Sequence, residues 1–255
     1  MVDRFTNAGF YSAVALAAIN RLNLSRLDLS SVDYGLGEKF AIMLFLLFSI
    51  CFQSKGIYIF MPNIEPVPAA TVVLVRESPQ QEDLEVLLLL RNSKLAFHGG
   101  HWVFPGGRVD KADFQDSADG LEYPAAQRAA VRETSEEAGI DILESQLVHT
   151  AHWTTPPNLA RRFSTWFFVC LLTEAVKVNV DNQEILDHRW VSPSAALAEA
   201  DSDLFVLPRP TAVTLQDIAP YKSISALNEY LNRGDIRVFP DDSPYYRPAE
   251  MGCDT

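Results

Sequence analysis

A chain of 255 residues, 48% apolar and 21% charged, can bury one large core, which excludes wholesale disorder. A formal charge of −12 excludes a surface built for phosphate backbones, so no nucleic-acid partner is expected, although a bound divalent cation would still admit a small phosphorylated ligand. Three cysteines (Cys51, Cys170 and Cys253) share no ligand-like spacing, which argues against a disulfide framework or a zinc site and for a reducing compartment.

In chain order, the first sixty residues stand apart. The apolar run "FAIMLFLLFSICF", Phe40 to Phe52, is shorter than the about 20 residues a bilayer span needs. Three readings remain for residues 1–60: a membrane anchor through 40–61, a helix docked on the domain, or a leader from a mis-called start. The last is preferred, because Met61 immediately precedes a self-sufficient pattern. Membrane attachment is therefore disfavoured and a cytoplasmic location expected. The domain itself is assigned to residues 61–240.

From Ala69, "ATVVLVRE" and "EVLLLLRN" read as paired strands around the polar "SPQQED". "HWVFPGG" reads as a third strand ending on a glycine turn. "PAAQRAAVRETSEEAG" is a helix, with Pro124 in its first turn and Gly139 at its end. "LVHTAHW", "RRFSTWFFVCLL" and "EILDHRWV" are strand-like, "SPSAALAEA" has a Ser-Pro helix start, and "TLQDIAPYKSISALNEYLNRG" holds one or two more helices. Residues 241–255 are expected to form a flexible tail. Strands and helices that interleave without strict alternation predict an α/β fold with a mixed sheet.

On the long helix, Glu133, Glu136 and Glu137 share a face at spacings of three and four. The plain reading of such a run is a solvated surface. The sharper reading is a site for hard divalent cations, which take oxygen ligands, with Arg132 orienting one carboxylate through its rigid fork of donors. Gly106 and Gly107 allow close backbone approach.

These residues resemble the Nudix box: Gly, five residues, Glu, seven residues, then Arg-Glu-apolar-x-Glu-Glu-x-Gly-apolar. Gly107, Arg132, Glu133, Glu136, Glu137, Gly139 and Ile140 match, and Thr134 stands at an apolar position. The resemblance extends over roughly residues 66 to 200, with a helical C-terminal extension. It implies a Nudix α/β/α sandwich with a mixed β-sheet and a magnesium-dependent hydrolase, with manganese as an alternative metal. The substrate would be a small nucleoside diphosphate linked to another group.

The match departs from the pattern in one place. Arg132 follows Gly107 by 25 positions (132 less 107), where the pattern has fourteen. Counted back from Arg132, the first glutamate falls on Pro124. Glu122 is nearby and Asp113 lies closer to the glycines, neither in register, and either could replace the missing carboxylate if the insertion loops out. The insertion resembles a branch that includes peroxisomal coenzyme A diphosphatases. Of its coenzyme A signature, Leu87, Leu88, Arg91, Gly100, Phe104, Pro105, Gly106 and Gly107 match, while Leu89, Asn92 and Ala96 do not.

The resemblance gives Glu133, Glu136 and Glu137 to the metal, with the Gly107 carbonyl and Glu184 as further ligands. Arg132, Glu133, Glu136 and Glu137 would serve catalysis, with Glu133 as the first candidate for base. Arg91, Arg161, Arg162 and Phe163 are candidates for substrate contact, although adjacent arginines on a strand point apart and one of the pair 161/162 would face water. Trp153 and Trp190 read as packing, and His98 and His101 as loop residues without a third ligand. The alternatives are a coenzyme A or acyl-coenzyme A diphosphatase specifically, or a Nudix-fold sensor that binds a nucleotide without cleaving it. A homodimer is compatible with the sequence.

Overall fold

The computed structural model describes residues 64–95, 98–114, 120–202 and 204–253. The leader expected over 1–60, the apolar run at 40–61 and residues 115–119 of the inserted segment lie outside the described residues. Among the described residues no helix is long and apolar enough to cross a membrane.

The strand β1 (Val67–Glu77) runs through the middle of a mixed sheet. It pairs parallel to β6 (Phe163–Leu171) and antiparallel to β2 (Leu84–Arg91). Beyond β6 come β5 (Leu147–Thr154), antiparallel, and the short β8 (Arg237–Phe239), parallel to β5. On the other side β7 (Ile185–Val191) pairs antiparallel with β2. Strand alternation decides which side chains go where. Val72 and Leu74 of β1 and Leu87 and Leu89 of β2 join one core cluster, whereas Val73, Val75, Val86 and Leu88 join a second one on the opposite face.

Helix α1 (Glu122–Ala138) covers the first face. Ala125, Ala126, Ala129 and Ala130 are fully buried, so the helix lies close on the sheet with no bulky side chain between. Thr134 is tolerated at its apolar position because its hydroxyl donates to the Ala130 carbonyl at 2.7 Å. Gly139 ends the helix in the left-handed region (φ 65°), its N–H donating to the Ser135 carbonyl. The second face carries α2 (Pro193–Asp201), α3 (Arg209–Ile218) and α4 (Ile224–Leu231), which completes an α/β/α sandwich.

Two details differ from the sequence expectations. The third strand is two short ones: β3 (Trp102–Val103) pairs with β2, and β4 (Gly106–Arg108) pairs with β1. The chain crosses between them at Pro105, whose carbonyl accepts from the Val72 N–H at 2.9 Å. The stretch expected as a flexible tail instead packs on the fold as far as Cys253. Its short helix α5 (Pro248–Met251) brings Met251 and Cys253 into the core beside α1, and Ser243 is buried against Thr154 with hydroxyls 2.7 Å apart. Turn-rich composition hid these contacts, because their partners lie about a hundred residues away.

Candidate functional site

The crossing at Pro105 leaves Gly106 and Gly107 facing the last turns of α1. A Cβ at Gly106 would sit 2.4 Å from the Ala70 carbonyl, and one at Gly107 would sit 2.2 Å from Glu133 Oε1. Backbone therefore excludes a side chain at the first position, whereas at the second a side chain would push the Glu133 carboxylate aside. The Gly106 N–H donates to Glu137 Oε2 at 3.0 Å. Arg91, at the end of β2, donates to Glu137 Oε1 at 3.1 Å and reaches Glu184, on the turn before β7, at 3.5 Å.

A second guanidinium organises the other side. Arg132 donates to Glu133 at 2.9 Å, to Glu136 at 3.1 Å and to the Arg108 carbonyl at 3.0 Å. It also grips Asp113 with two nitrogens, at 3.0 and 3.3 Å. Asp113 is buried, and its own N-terminal turn closes on it through the Asp110 N–H at 2.7 Å. Arg128, one turn earlier on α1, donates to the Asp113 carbonyl at 2.6 Å.

This geometry locates the displaced carboxylate of the box. Asp113 is the sixth residue after Gly107, the place the pattern gives its first glutamate, and the extra residues lie between it and Arg132. Counting back from Arg132 misplaced it; counting forward from Gly107 would have found it. Glu122 is elsewhere, at the far end of α1, accepting from Trp166 Nε1 at 2.9 Å.

Burial dominates the electrostatics. It pushes the Glu137 carboxyl up to about 7, against the opposing pull of the Gly106 N–H and Arg91. Burial likewise raises Glu133, while Arg132 holds it back. Burial would lower the Arg132 pKa, yet its bonds to Asp113 and Glu133 win and lift it, so it stays charged. Carboxylates outnumber guanidiniums here: Asp113, Glu133, Glu136, Glu137 and Glu184 face Arg91 and Arg132. Such a surplus around a buried acid suits a hard cation, and oxygen donors are the right chemistry for one. Among the described residues no three acidic side chains meet at one metal-sized point. The two arginines draw them apart, Glu133 and Glu136 to one side and Glu137 to the other.

Of the residues singled out in the sequence, Arg91, Gly107, Arg132, Glu133, Glu136, Glu137 and Glu184 come together. The other three substrate candidates do not join them. Arg162 is buried and committed to backbone, donating to the Thr155 carbonyl at 3.0 Å and the Ile64 carbonyl at 2.6 Å, which makes it a clamp across the chain rather than a phosphate grip. Arg161 is exposed on the loop before β6. Phe163 shares its strand parity with Phe167 and Val169, on the face away from α1. Trp153 is covered by Phe239, with ring centroids 3.7 Å apart.

The family model described as NUDIX domain matches residues 65–207. A Caenorhabditis elegans protein assigned to the nudix hydrolases is 24% identical over 193 residues, covering 64% of this chain and 64% of its own. The acyl-coenzyme A diphosphatase of Xenopus laevis is 22% identical over 261 aligned positions, covering 67% of this chain and 68% of its own. The crystal structure of a NUDIX hydrolase from Alicyclobacillus acidocaldarius superimposes with a TM-score of 0.56 at 21% identity, covering 65% of this chain and 96% of that one. The chain thus spans less than two thirds of the first of these relatives.

Proposed function

The chain belongs to the NUDIX domain family, and from that premise we propose that it hydrolyses the diphosphate bond of a nucleoside diphosphate linked to another group, with magnesium as cofactor. The observation that carries this reading is the buried Glu137, held between the Gly106 N–H and Arg91 on the same helical turn as Glu133 and Glu136. Members of this family generally use divalent metals. Glu133, Glu136, Glu137, Glu184 and the Gly107 carbonyl are the groups that would hold one. Magnesium, or manganese in its place, would neutralise the diphosphate and polarise the oxygen at which charge builds.

The protein's own groups then have distinct tasks. Glu133, fixed by Arg132 against Gly107, takes a proton from the attacking water. The water oxygen bonds to phosphorus as the bridging P–O bond breaks, and two phosphate esters leave. Asp113 anchors Arg132 and so holds Glu133 at the angle the proton transfer needs. Arg91 is the guanidinium at hand for phosphate oxygens. The sensor alternative drew on a missing first glutamate, and Asp113 supplies that carboxylate.

The test is incubation of the full chain with magnesium and a panel of coenzyme A, acyl-coenzyme A, NADH, ADP-ribose and nucleoside triphosphates, with products separated by chromatography. Magnesium-dependent cleavage of one compound, absent in Glu137→Gln, is the expected result and names the substrate class. Binding of one compound without cleavage of any would make the chain a sensor. The incomplete coenzyme A signature makes coenzyme A one arm of the panel rather than its premise.

A further inference from the structure

Glu184 is the one acidic side chain of the site that belongs neither to α1 nor to the segment beginning at β4, and an exposed glutamate on a turn would ordinarily wander. Its turn is tied on three sides. Val176, Val178 and Val180, on the segment leading into it, pack against the core, and the Asn179 N–H donates to the Ala138 carbonyl at the end of α1 at 2.8 Å. Asn92, the neighbour of Arg91, gives its side-chain amide to the Gln183 carbonyl at 2.9 Å and its backbone N–H to the Glu184 carbonyl at 2.7 Å. Within the turn, the Asp181 carboxylate accepts three backbone N–H groups: Gln183 at 3.1 Å, Glu184 at 3.1 Å and Ile185 at 2.9 Å. Asn182 between them sits at φ 57°, a conformation the chain does not favour unaided.

We propose that Asp181 is a positioning residue for the reaction. By locking the 181–185 turn it delivers the Glu184 carboxylate beside Glu137, with Asn92 holding the same turn from β2. Asp181 stands outside the bonding to Arg91 and Glu137: its oxygens are occupied by the three amides, so its effect passes through Glu184. This inference rests on the metal-dependent reading above. It also accounts for Asn92, which departs from the coenzyme A signature and here holds the turn to β2.

The test is direct manganese binding to the full chain, followed by electron paramagnetic resonance of the free ion, alongside thermal unfolding. Wild type is compared with Asp181→Ala, Asp181→Asn, Glu184→Gln and the Asp181→Ala/Glu184→Gln double variant. Asp181→Ala is expected to weaken manganese binding about 10- to 100-fold, the usual cost of removing a partner that orients a metal ligand. Asp181→Asn, whose amide oxygen still accepts from the backbone, restores most of it. On the Glu184→Gln background Asp181→Ala adds nothing. Unchanged affinity in Asp181→Ala, or a further loss in the double variant with a lowered unfolding midpoint, would overturn the proposal while leaving the metal reading intact. Absence of manganese binding in wild type would overturn both.

Discussion

Helix α1 carries a partly or wholly buried glutamate at each end, and the two are kept in different ways. Glu122 is half-buried and raised by burial, and its close partner is a neutral donor, Trp166 Nε1, among the rings of Tyr123, His149, His152 and Tyr246. Glu137 is more deeply buried, is raised to about 7, and meets a guanidinium and a backbone N–H. A neutral donor can satisfy a carboxyl that stays in one state. A cation beside a buried carboxylate marks a place where positive charge is wanted, and Arg91 alone does not match the surrounding acids. On the proposed function, the same residue type on one helix is therefore structural at one end and chemical at the other.

The sharpest way to break that contrast is to remove each charge in turn. Glu137→Gln is expected to lower kcat by about 10²–10⁴-fold, the scale of losing a group that acts in the transition state. Glu122→Gln keeps an amide oxygen for Trp166 Nε1, so kcat and KM should match wild type. Equal losses in the two variants, measured by steady-state kinetics on the panel substrate, would erase the distinction.

The paired glycines offer a finer cut through the chemical end. Gly107→Ala places a methyl 2.2 Å from Glu133 Oε1, and a flexible side chain is what must yield. The fold should survive with its unfolding midpoint preserved, while displacement of Glu133 costs about 10²-fold in kcat, as an ångström-scale misplacement does. Gly106→Ala meets the Ala70 carbonyl at 2.4 Å and Thr71 Cα at 2.8 Å, so it should damage folding as well. A Gly107→Ala enzyme of wild-type activity would show that Glu133 need not lie against that backbone.

How much of this was legible beforehand follows the range of the contacts. The alanine face, the glutamate spacing and the Gly139 stop are local patterns, so α1 could be read nearly residue by residue. Asp113 could not be told from Glu122 because the insertion separates it from Arg132, and a count from the arginine cannot cross a loop of altered length. Arg162 looked like a phosphate ligand because its partner Ile64 lies 98 positions away. Asn92 and Asp181 carry no pattern, since an amide or acid in a turn is commonplace until the backbone groups it satisfies are known. β8 and α5 are too short to show periodicity and exist through what they pack against.

The smallest effect separates the two ends of the helix by pH. His149 and His152 lie under the C-terminal segment near Glu122, 8% and 0% exposed, and burial pulls them down to about 4 and about 3. Cys253 Sγ is 3.8 Å from one ring and Ser164 Oγ 3.1 Å from the other. As pH falls below 6.5 the unfolded chain takes up these protons first, so their stabilisation is complete above 6.5 and drains toward the folded values. Each histidine contributes a slope of about 1.4 kcal/mol per pH unit in that window. Glu137 has the opposite sign: its folded value of about 7 lies above the ordinary 4.5, so its contribution is complete below 4.5 and is lost as pH rises toward 7. Between 4.5 and 6.5 the two histidines and Glu137 pull stability in opposite directions. Urea unfolding of the metal-free protein across that range should therefore show a steeper rise with pH in Glu137→Gln and a flatter one in His152→Gln. Identical slopes in all three proteins would mean that neither end titrates with folding, and the contrast between them would then rest on kinetics alone.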